Sequence, residues 1–331
     1  TRFPVDSAER FQRESDFGEW KDRLKIFGLD LRHSPSVEKF ATWVCERYGS
    51  LDVLINNACQ TVRRPPGFYS HLLDKEVVPF NELSEAIQPL LRDLETCRAS
   101  LGGESSLDQV TQAGKRAWLQ SWGGEEAGVG LRASALLSQI PYAFDDPKEL
   151  QTAFPTGKLD MDLQQVDLRS MNSWRMSLAD VPAAEMLEVH LVNAVAPFIL
   201  CSRLKPALLS GSYDARHVVN VSAMEGKFTR YTKTDKHPHT NMAKAGLNML
   251  TVTSAPDYAR DGIYMNAVDT GWVTDEDPAL HAERKKNELG FQPPLDIVDG
   301  AARILDPVFQ GFLTGQHVFG KFFKDYAPTT W

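Results

Sequence analysis

Segments typical of buried β-strands alternate along the chain with segments typical of helices, and this alternation limits the possible folds more than any other feature. Residues 51–58, 217–223 and 263–269 are almost continuously apolar. Such runs are typical of strands that are covered on both faces of a sheet. Helical segments lie between them, so the sequence predicts βαβ units and a parallel sheet.

The same patterns predict further elements along the chain. Five strands are predicted, at residues 24–31, 51–58, 217–223, 263–269 and 316–322. Helices are predicted at residues 37–48, 183–209, 241–260 and 295–308. Pro197 and Pro256 lie inside two of these helices and are expected to distort them.

Charge and cysteine content exclude several classes of function. The formal net charge of −8 gives no support to nucleic-acid binding, which usually requires a basic face. No apolar run has the length that a membrane helix needs, and no signal-like apolar core begins the chain. Cys45, Cys59, Cys97 and Cys201 form no pair with metal-ligand spacing. We therefore expect reduced thiols, no metal, a cytoplasmic location and a small-molecule partner rather than nucleic acid or a membrane.

A long segment without this pattern interrupts the alternation of strands and helices. Residues 60–181 contain two Gly-Gly pairs, helix-like stretches and one alternating run at residues 158–169 that predicts a hairpin or edge strand. This length is too great for a bare loop in a compact domain. We predict an inserted, mainly helical subdomain or lid at 60–181, and one α/β domain formed by residues 1–59 and 182–331.

Five motifs occur at strand ends and in helices in an informative order. They are Asn56-Asn57-Ala58-Cys59, Asn193, Ser222, Lys244 and Asp269-Thr270-Gly271-Trp272-Val273-Thr274. In this order the set closely resembles the short-chain dehydrogenase/reductase family, over residues 1–60 and 180–331. The resemblance implies an α/β fold with a Rossmann-like, doubly wound parallel sheet. It also implies hydride transfer between NAD(P) and a carbonyl or alcohol.

The resemblance implies a cofactor, NADP or alternatively NAD, at the carboxyl edge of the sheet, where parallel sheets bind ligands. Asp30 and Leu31 would contact the adenine. By the same resemblance, the opening segment TRFP would end the family's second strand. Arg2 would then lie where NADP-preferring members bind the 2′-phosphate. The alternative is an ordinary solvated arginine. The predicted cofactor-binding residues are Arg2, Asp30, Leu31, Asn57, Ala58, Lys244, Thr270, Gly271, Val273 and Thr274.

The Gly-rich turn that normally holds a dinucleotide's pyrophosphate does not occur before residue 24. The sequence therefore looks as though it lacks the first βαβ segment of the fold. We expect this segment to exist upstream of the residues given. The alternative is a protein that lacks it and cannot bind a dinucleotide in the usual way.

By the same resemblance, Asn193, Ser222 and Lys244 are the catalytic residues, but one partner departs from the pattern. Family members place a Tyr four residues before the helix Lys, on the same helix face, where the ammonium lowers the phenol pKa. Thr240 occupies that position here, and a Thr hydroxyl is a far poorer acid or base. Thr240 is also typical of a helix N-cap.

Neighbouring residues offer substitutes for the missing phenol. His239 is the predicted substitute, because an imidazole titrates near neutral pH. His237 and Tyr231 are alternatives, and so is a reaction that has changed or been lost.

Two functions therefore follow from the sequence. The first is an NADP-linked oxidoreductase with an altered acid/base. The second is a family-derived binding or regulatory protein that has lost hydride transfer and uses residues 60–181 to contact a partner. The resemblance also implies a homo-oligomer, formed through the helices that carry Asn193 and Lys244.

Overall fold

The computed structural model of the chain describes residues 1–101, 125–142, 145, 152–155, 157–159, 165–230, 232–290 and 293–331. The chain divides into two compact units. The helical unit consists of Thr1–Trp43 and Arg64–Leu168, and the sheet unit consists of Val44–Arg63 and Arg169–Trp331. This division assigns residues 1–43 differently from the predicted domains, whose boundaries stay a prediction.

The sheet unit contains five strands in the order β1 to β5. They are β1 (Val53–Asn56), β2 (Arg216–Ser222), β3 (Ile263–Asp269), β4 (Phe322–Lys324) and β5 (Ala327–Thr329). The first four are parallel, and β5 returns antiparallel to β4. Asp325 and Tyr326 both have positive φ in the connecting turn, which suits the right-handed twist of a two-residue hairpin.

In the described part of the chain, eight longer helices accompany the strands or form the helical unit. They are α1 (Pro4–Gln12), α2 (Ser34–Tyr48), α3 (Gln88–Leu101), α4 (Ala183–His190), α5 (Ala196–Leu209), α6 (Pro238–Arg260), α7 (Ala279–Leu289) and α8 (Ile297–Thr314). Shorter helical turns lie at Phe17–Trp20, Lys21–Arg23, Pro66–Tyr69, Ser70–Leu72, Leu73–Glu76, Phe80–Glu82, Glu125–Gly128, Val129–Arg132, Ser134–Leu137, Ser173–Arg175 and Met224–Gly226. A π-helical turn, Leu191–Val195, joins α4 to α5.

Apolar side chains cover both faces of the sheet. On one face, Val218 of β2 and Met265 of β3 pack with Leu208 of α5 and Tyr258 of α6. On the other face, Val219, Val221 and Val268 pack with side chains of α8. A parallel sheet with helices on both faces is doubly wound, so the predicted fold class is confirmed.

The predicted elements of the second half of the chain occur close to their expected positions. Strands β2 and β3 and helices α6 and α8 form where the sequence predicts them. The long predicted helix at residues 183–209 is broken by the π-helical turn just before Pro197. Because proline has no N–H to donate to the carbonyl four residues earlier, the backbone adjusts locally at that point.

The strand predicted at residues 24–31 does not form. The backbone N–H groups of Ile26, Leu29 and Asp30 instead donate singly to carbonyls of Leu90, Thr1 and Gly130. Ile26 packs in a helical core with Val5, Ala8, Leu90 and Leu91, among others. The apolar pattern of residues 24–31 therefore reflects side chains that are buried between helices, and not a strand.

Three further expectations differ from the structure. The opening TRFP precedes helix α1 and does not end a strand, because Pro4 is suited to the first turn of a helix. Strand β1 is an edge strand among the described residues, and Ile55 is 36% exposed rather than covered on both faces. The last parallel strand begins at Phe322, because Gly315 and Gly320, both with positive φ, bend the backbone before it.

The described parts of the predicted insertion are mainly helical, as expected. The alternating run at 158–169 shows one antiparallel bridge, between Leu159 and Gln165, and residues 160–164 lie outside the described part. Among the described residues, Ala183–Leu209 is the one stretch long and apolar enough to cross a membrane, and half of its most apolar window is buried. Such a stretch is weak evidence for a membrane span, since buried core helices have the same composition.

Candidate active site

One stripe of helix α6 faces the carboxyl end of strand β2. Thr240, Lys244 and Asn248 are spaced by four residues, which places them on the same helix face, and each is at most 5% exposed. Lys244 Nζ donates to the Val221 carbonyl at 2.8 Å. Within the described part of the chain Lys244 has no ion pair, so its ammonium is buried without a counter-charge.

Ser222, at the end of β2, directly follows Val221, whose carbonyl holds this ammonium. Ser222 Oγ donates to Asn248 Oδ1 at 2.6 Å, and Asn248 Nδ2 is buried without a hydrogen bond to any described residue. The oxygen and nitrogen of a side-chain amide are nearly the same size, so the Asn248 amide fits in either of two orientations. With the amide turned over, Nδ2 donates to Ser222 and the hydroxyl proton is free for a ligand oxygen.

A glycine permits the close packing that brings these groups together. The turn Met224–Gly226 follows β2, and a Cβ on Gly226 would lie 2.6 Å from the backbone carbon of Lys244. No side chain fits at that distance, so the turn contacts the helix backbone directly.

Asn193 lies in the π-helical turn between α4 and α5. Its Nδ2 donates to the Gln60 carbonyl at 2.7 Å and the Val189 carbonyl at 2.8 Å, while Gln60 N donates back to Asn193 Oδ1 at 3.3 Å. The Gln60 side chain donates to the buried Glu188 carboxylate at 2.9 Å. These contacts hold the segment after β1 against α4.

Asp269 organises the loops at the carboxyl end of β3. Its carboxylate accepts the Met224 N–H at 2.7 Å, the Gly271 N–H at 2.5 Å and Lys324 Nζ at 3.2 Å. One side chain thus fixes the loop after β2, the loop after β3 and strand β4. Gly271 has a φ of +78°, which suits the tight turn that follows.

We expect Asp269→Ala to lower the free energy of unfolding by about 3 kcal/mol, because it leaves a partly buried ammonium and two N–H groups without an acceptor. Asp269→Asn should lose less, since one carbonyl oxygen remains. Urea unfolding measures both changes. Asp235→Ala, at a 76% exposed side chain, is the matched control and should change stability little. Equal stability of Asp269→Ala and the wild type would contradict this role.

Thr240 takes the expected place one turn before Lys244, but it is not the N-cap of the helix. His237 precedes the first helical residue, Pro238, and no side chain caps this end. The Thr240 hydroxyl donates to the Thr61 carbonyl at 3.1 Å. Its proton is therefore engaged in holding the segment after β1.

His239 lies one residue away from the stripe, 2% exposed, and neither of its ring nitrogens has a hydrogen-bond partner among the described residues. Burial lowers its pKa to about 4, and the charges of His237 and His190 act in the same direction. The imidazole is therefore neutral at pH 7. The low pKa also makes the ring a weaker base than an ordinary imidazole.

The two alternatives to His239 have different positions. The His237 ring stacks on Trp174 with 3.9 Å between centroids, and its Nδ1 lies 2.8 Å from the Trp174 carbonyl. These contacts fix His237 as a packing residue of the helix start. Tyr231 lies outside the described residues.

The predicted cofactor-binding residues are divided between the two units. Asn57 and Ala58 are exposed after β1, and the loop from Thr270 through Val273 to Thr274 follows β3, all in the sheet unit.

Arg2, Asp30 and Leu31 belong to the helical unit. Arg2 donates to the Tyr69 hydroxyl at 2.7 Å and lies over its ring. Asp30 is fully paired with Arg32, at 2.6 Å for the shortest contact. Burial opposes ionisation of Asp30, but the Arg32 charge and hydrogen bonds together hold its pKa below the ordinary value.

Asn248 and the role of Asp269 in fixing three loops and strands were not predicted from the sequence. The four-residue spacing after Lys244 was a signal for Asn248, but an isolated Asn in a helix has no distinctive motif. Within the described residues no group of three or more His, Cys, Asp or Glu side chains is arranged to hold a metal ion. The expected absence of a metal stays a prediction.

Part of the chain is similar to known short-chain dehydrogenases. A short-chain dehydrogenase family model described as enoyl-(acyl carrier protein) reductase matches residues 151–290. An uncharacterized protein of Acanthamoeba polyphaga mimivirus is 25% identical over 325 residues, which cover 93% of this chain and 56% of the relative. The 2-dehydro-3-deoxy-D-gluconate 5-dehydrogenase of Formosa agariphila is 24% identical over 139 residues, covering 41% of this chain and 50% of the relative.

A solved short-chain dehydrogenase from Streptomyces avermitilis covers 95% of this chain and 74% of its own, at 13% identity and a TM-score of 0.47. The family match includes Asn193, Ser222, Lys244 and the loop after β3. Over residues 151–290 the chain is similar to the short-chain dehydrogenase/reductase family. It spans about half the length of the two curated relatives it matches above.

Proposed function

We propose that the protein is a nicotinamide-dinucleotide-dependent oxidoreductase that acts on an alcohol or its carbonyl product and prefers NADP. The observation that carries the proposal is the Lys244 ammonium at the carboxyl edge of the sheet, which is 3% exposed and has no counter-charge among the described residues. A buried charge without a partner is costly, and such groups concentrate at functional sites. The ammonium retains two further N–H donors for a ligand.

The residues of the sheet unit fit the nicotinamide half of such a cofactor. Lys244 and the loop from Thr270 to Thr274 offer donors and a glycine turn at the edge where doubly wound sheets bind nucleotides. Asn248 Nδ2, a buried donor without a partner, lies beside Ser222. When bound, a nicotinamide dinucleotide supplies or accepts a hydride.

The chain's own residues would handle the proton. Ser222 holds the reacting oxygen, and His239 accepts the proton of an alcohol substrate. Because the pKa of His239 is about 4, the ring is unprotonated at pH 7 and has a nitrogen able to accept a proton, but so low a pKa makes it a weak base. A small-molecule substrate, a cytoplasmic location and a homo-oligomer are parts of the proposal that rest on the sequence alone.

A second candidate is a binding or regulatory protein without hydride transfer. The engaged Thr240 hydroxyl favours it, because the position of the usual phenol carries no available proton. The two candidates differ in turnover with alcohols, not in cofactor binding.

We expect the full-length chain to bind NADPH at least tenfold more tightly than NADH, because a charged contact to the 2′-phosphate is worth about 1.5–3 kcal/mol, or roughly 10–100-fold in affinity. Calorimetric titration measures both affinities. Equal affinities would overturn the preference for NADP.

The outcomes separate the candidates. Failure of both nucleotides to bind overturns the oxidoreductase. Binding without turnover across a panel of alcohols and carbonyls supports the regulatory protein.

A further inference from the structure

The helical unit contains a cavity that is separate from the candidate active site. It has a volume of about 470 Å³ and is lined by α1, by residues 76–80, by α3 and by residues 132–136. All of these segments belong to the helical unit, so the cavity lies within one compact unit. The volume falls in the range of roughly 300–1,000 Å³ that small-molecule sites occupy.

The floor of the cavity is apolar. Leu91 and Leu94 of α3 are almost fully buried, and Phe80 and Leu83 extend the apolar surface. Leu91 and Leu94 also belong to the core of the helical unit. The floor therefore rests on fixed side chains and offers an apolar ligand a preformed surface.

Polar groups converge on one part of the wall. Arg98, Arg132 and Ser134 line this part, and the Ser134 hydroxyl donates to the Arg2 carbonyl at 2.8 Å. Arg98 is already anchored, since its Nη1 donates to Glu95 at 2.8 Å and its Nε to the Leu131 carbonyl at 3.2 Å. Anchored guanidinium groups are preorganised to bind carboxylates.

Glu76 contributes a carboxyl group with unusual properties. It accepts the backbone N–H groups of Val5 at 3.2 Å and Asp6 at 2.9 Å, at the start of α1. Burial raises the pKa of Glu76 to about 7, although these hydrogen bonds and the Arg98 charge oppose the rise. Near neutral pH the group is therefore protonated in about half of the molecules.

We propose that this cavity binds a small anionic amphiphile, a monocarboxylate with an apolar tail, whose head group meets Arg98 and Arg132 and whose tail covers Leu91 and Leu94. The charged heads and apolar floor match the two parts of such a ligand. Neither the sequence motifs nor the proposed oxidoreductase activity requires this site.

Ligand binding should be coupled to proton uptake. A bound carboxylate repels the ionised form of Glu76 and favours the protonated form. With a Glu76 pKa of about 7 in the free protein, affinity should fall about tenfold between pH 6 and pH 8. A cationic amphiphile would show the opposite pH dependence, because it prefers the ionised carboxylate.

The test is calorimetric titration of the full-length protein with octanoate and with octylammonium at pH 6 and pH 8. We expect octanoate to bind, about tenfold more weakly at pH 8, and octylammonium not to bind. Glu76→Gln should bind octanoate equally at the two pH values, because the amide side chain of this variant has no proton that titrates in that range.

A matched pair of variants locates the site. Ala99 and Thr96 are both exposed on α3, but only Ala99 lines the cavity. Ala99→Trp should lower octanoate affinity at least tenfold, and Thr96→Trp should leave it unchanged; circular dichroism checks that both variants fold. Failure of octanoate to bind, preference for octylammonium or equal binding by both Trp variants would overturn the proposal.

Discussion

Replacement of Lys244 by Met is expected to lower kcat/KM at least 100-fold while the protein stays as stable as the wild type or becomes more stable. The two effects have opposite signs because a buried ammonium without a counter-charge costs free energy in the ligand-free protein. A methionine fills nearly the same volume and needs no partner. Only the Val221 carbonyl loses its hydrogen bond.

The loss of activity follows from the position of the ammonium. Lys244 shares a helix stripe with Asn248, which holds Ser222, so its donors point to the edge where the substrate and nucleotide are proposed to meet. Loss of one charged donor at a developing charge typically costs about 2.7–4 kcal/mol, or roughly 100–1,000-fold in rate.

Steady-state kinetics and urea unfolding of the full-length protein measure the two effects separately. Lys205→Met is the matched control, because Lys205 pairs with Asp257 and Asp261 near the surface of α5. It should keep full activity and lose less than about 1 kcal/mol of stability. If Lys244→Met lost both activity and several kcal/mol of stability, the lysine would be a structural residue and the proposed function would lose its main support.

The sequence predicted the sheet unit well where local pattern and burial agree. Strand β3 begins and ends at the predicted residues, because its apolar run is bounded by Gly262 and by Asp269, which turns into the following loop. The pattern failed at residues 24–31, where the same apolar spacing serves packing between helices. Apolar spacing reports which side chains are buried, but it does not report which backbone group accepts each N–H.

In the candidate site, too, the sequence predicted some features and not others. Spacing alone places Thr240 and Lys244 on one helix face, and the structure has them there. Spacing does not reveal that the Thr240 hydroxyl is engaged by Thr61 or that Asn248 orients Ser222. Those contacts join segments that are far apart in sequence, so only the folded chain defines them.

Acidification from pH 7 to pH 5 is expected to destabilise the sheet unit selectively. Burial lowers the pKa of His217 and of His239 to about 4, and both side chains belong to this unit. His217 also faces His317, with 3.2 Å between Nε2 and Nδ1, and the His317 charge acts with burial to lower the pKa of His217. Tyr264 and Phe312 surround the pair and supply no counter-charge.

The sign follows from proton binding. Between pH 6.5 and pH 4 the unfolded chain binds more protons at these two histidines than the folded chain does, so stability falls as the pH falls. A lowering by 2.5 pKa units corresponds to at most about 3 kcal/mol for each histidine. Glu185, whose pKa is raised mainly by burial, opposes this loss in part.

In the helical unit the shifts of His33 and Glu76 act in opposite directions. Burial lowers the pKa of His33 to about 4, which destabilises the folded unit in acid. Burial raises the pKa of Glu76 to about 7, so the folded unit binds more protons there between pH 7 and pH 4.5 and gains stability as the pH falls. The helical unit should therefore respond little to the same change in pH.

Hydrogen exchange followed by mass spectrometry, corrected for intrinsic exchange rates at pH 7 and pH 5, compares the units in one experiment. Peptides from β2 and β3 should lose protection at pH 5, while peptides from α1 and α3 keep it. His217→Gln should reduce the pH dependence of β2 and β3, because it removes one neutral buried imidazole. His281→Gln, which removes an imidazole of α7 bonded only to the Ser170 carbonyl near the surface, is the control and should leave the pH dependence unchanged. Equal loss of protection in both units would show that burial of these histidines does not set the acid stability of the fold.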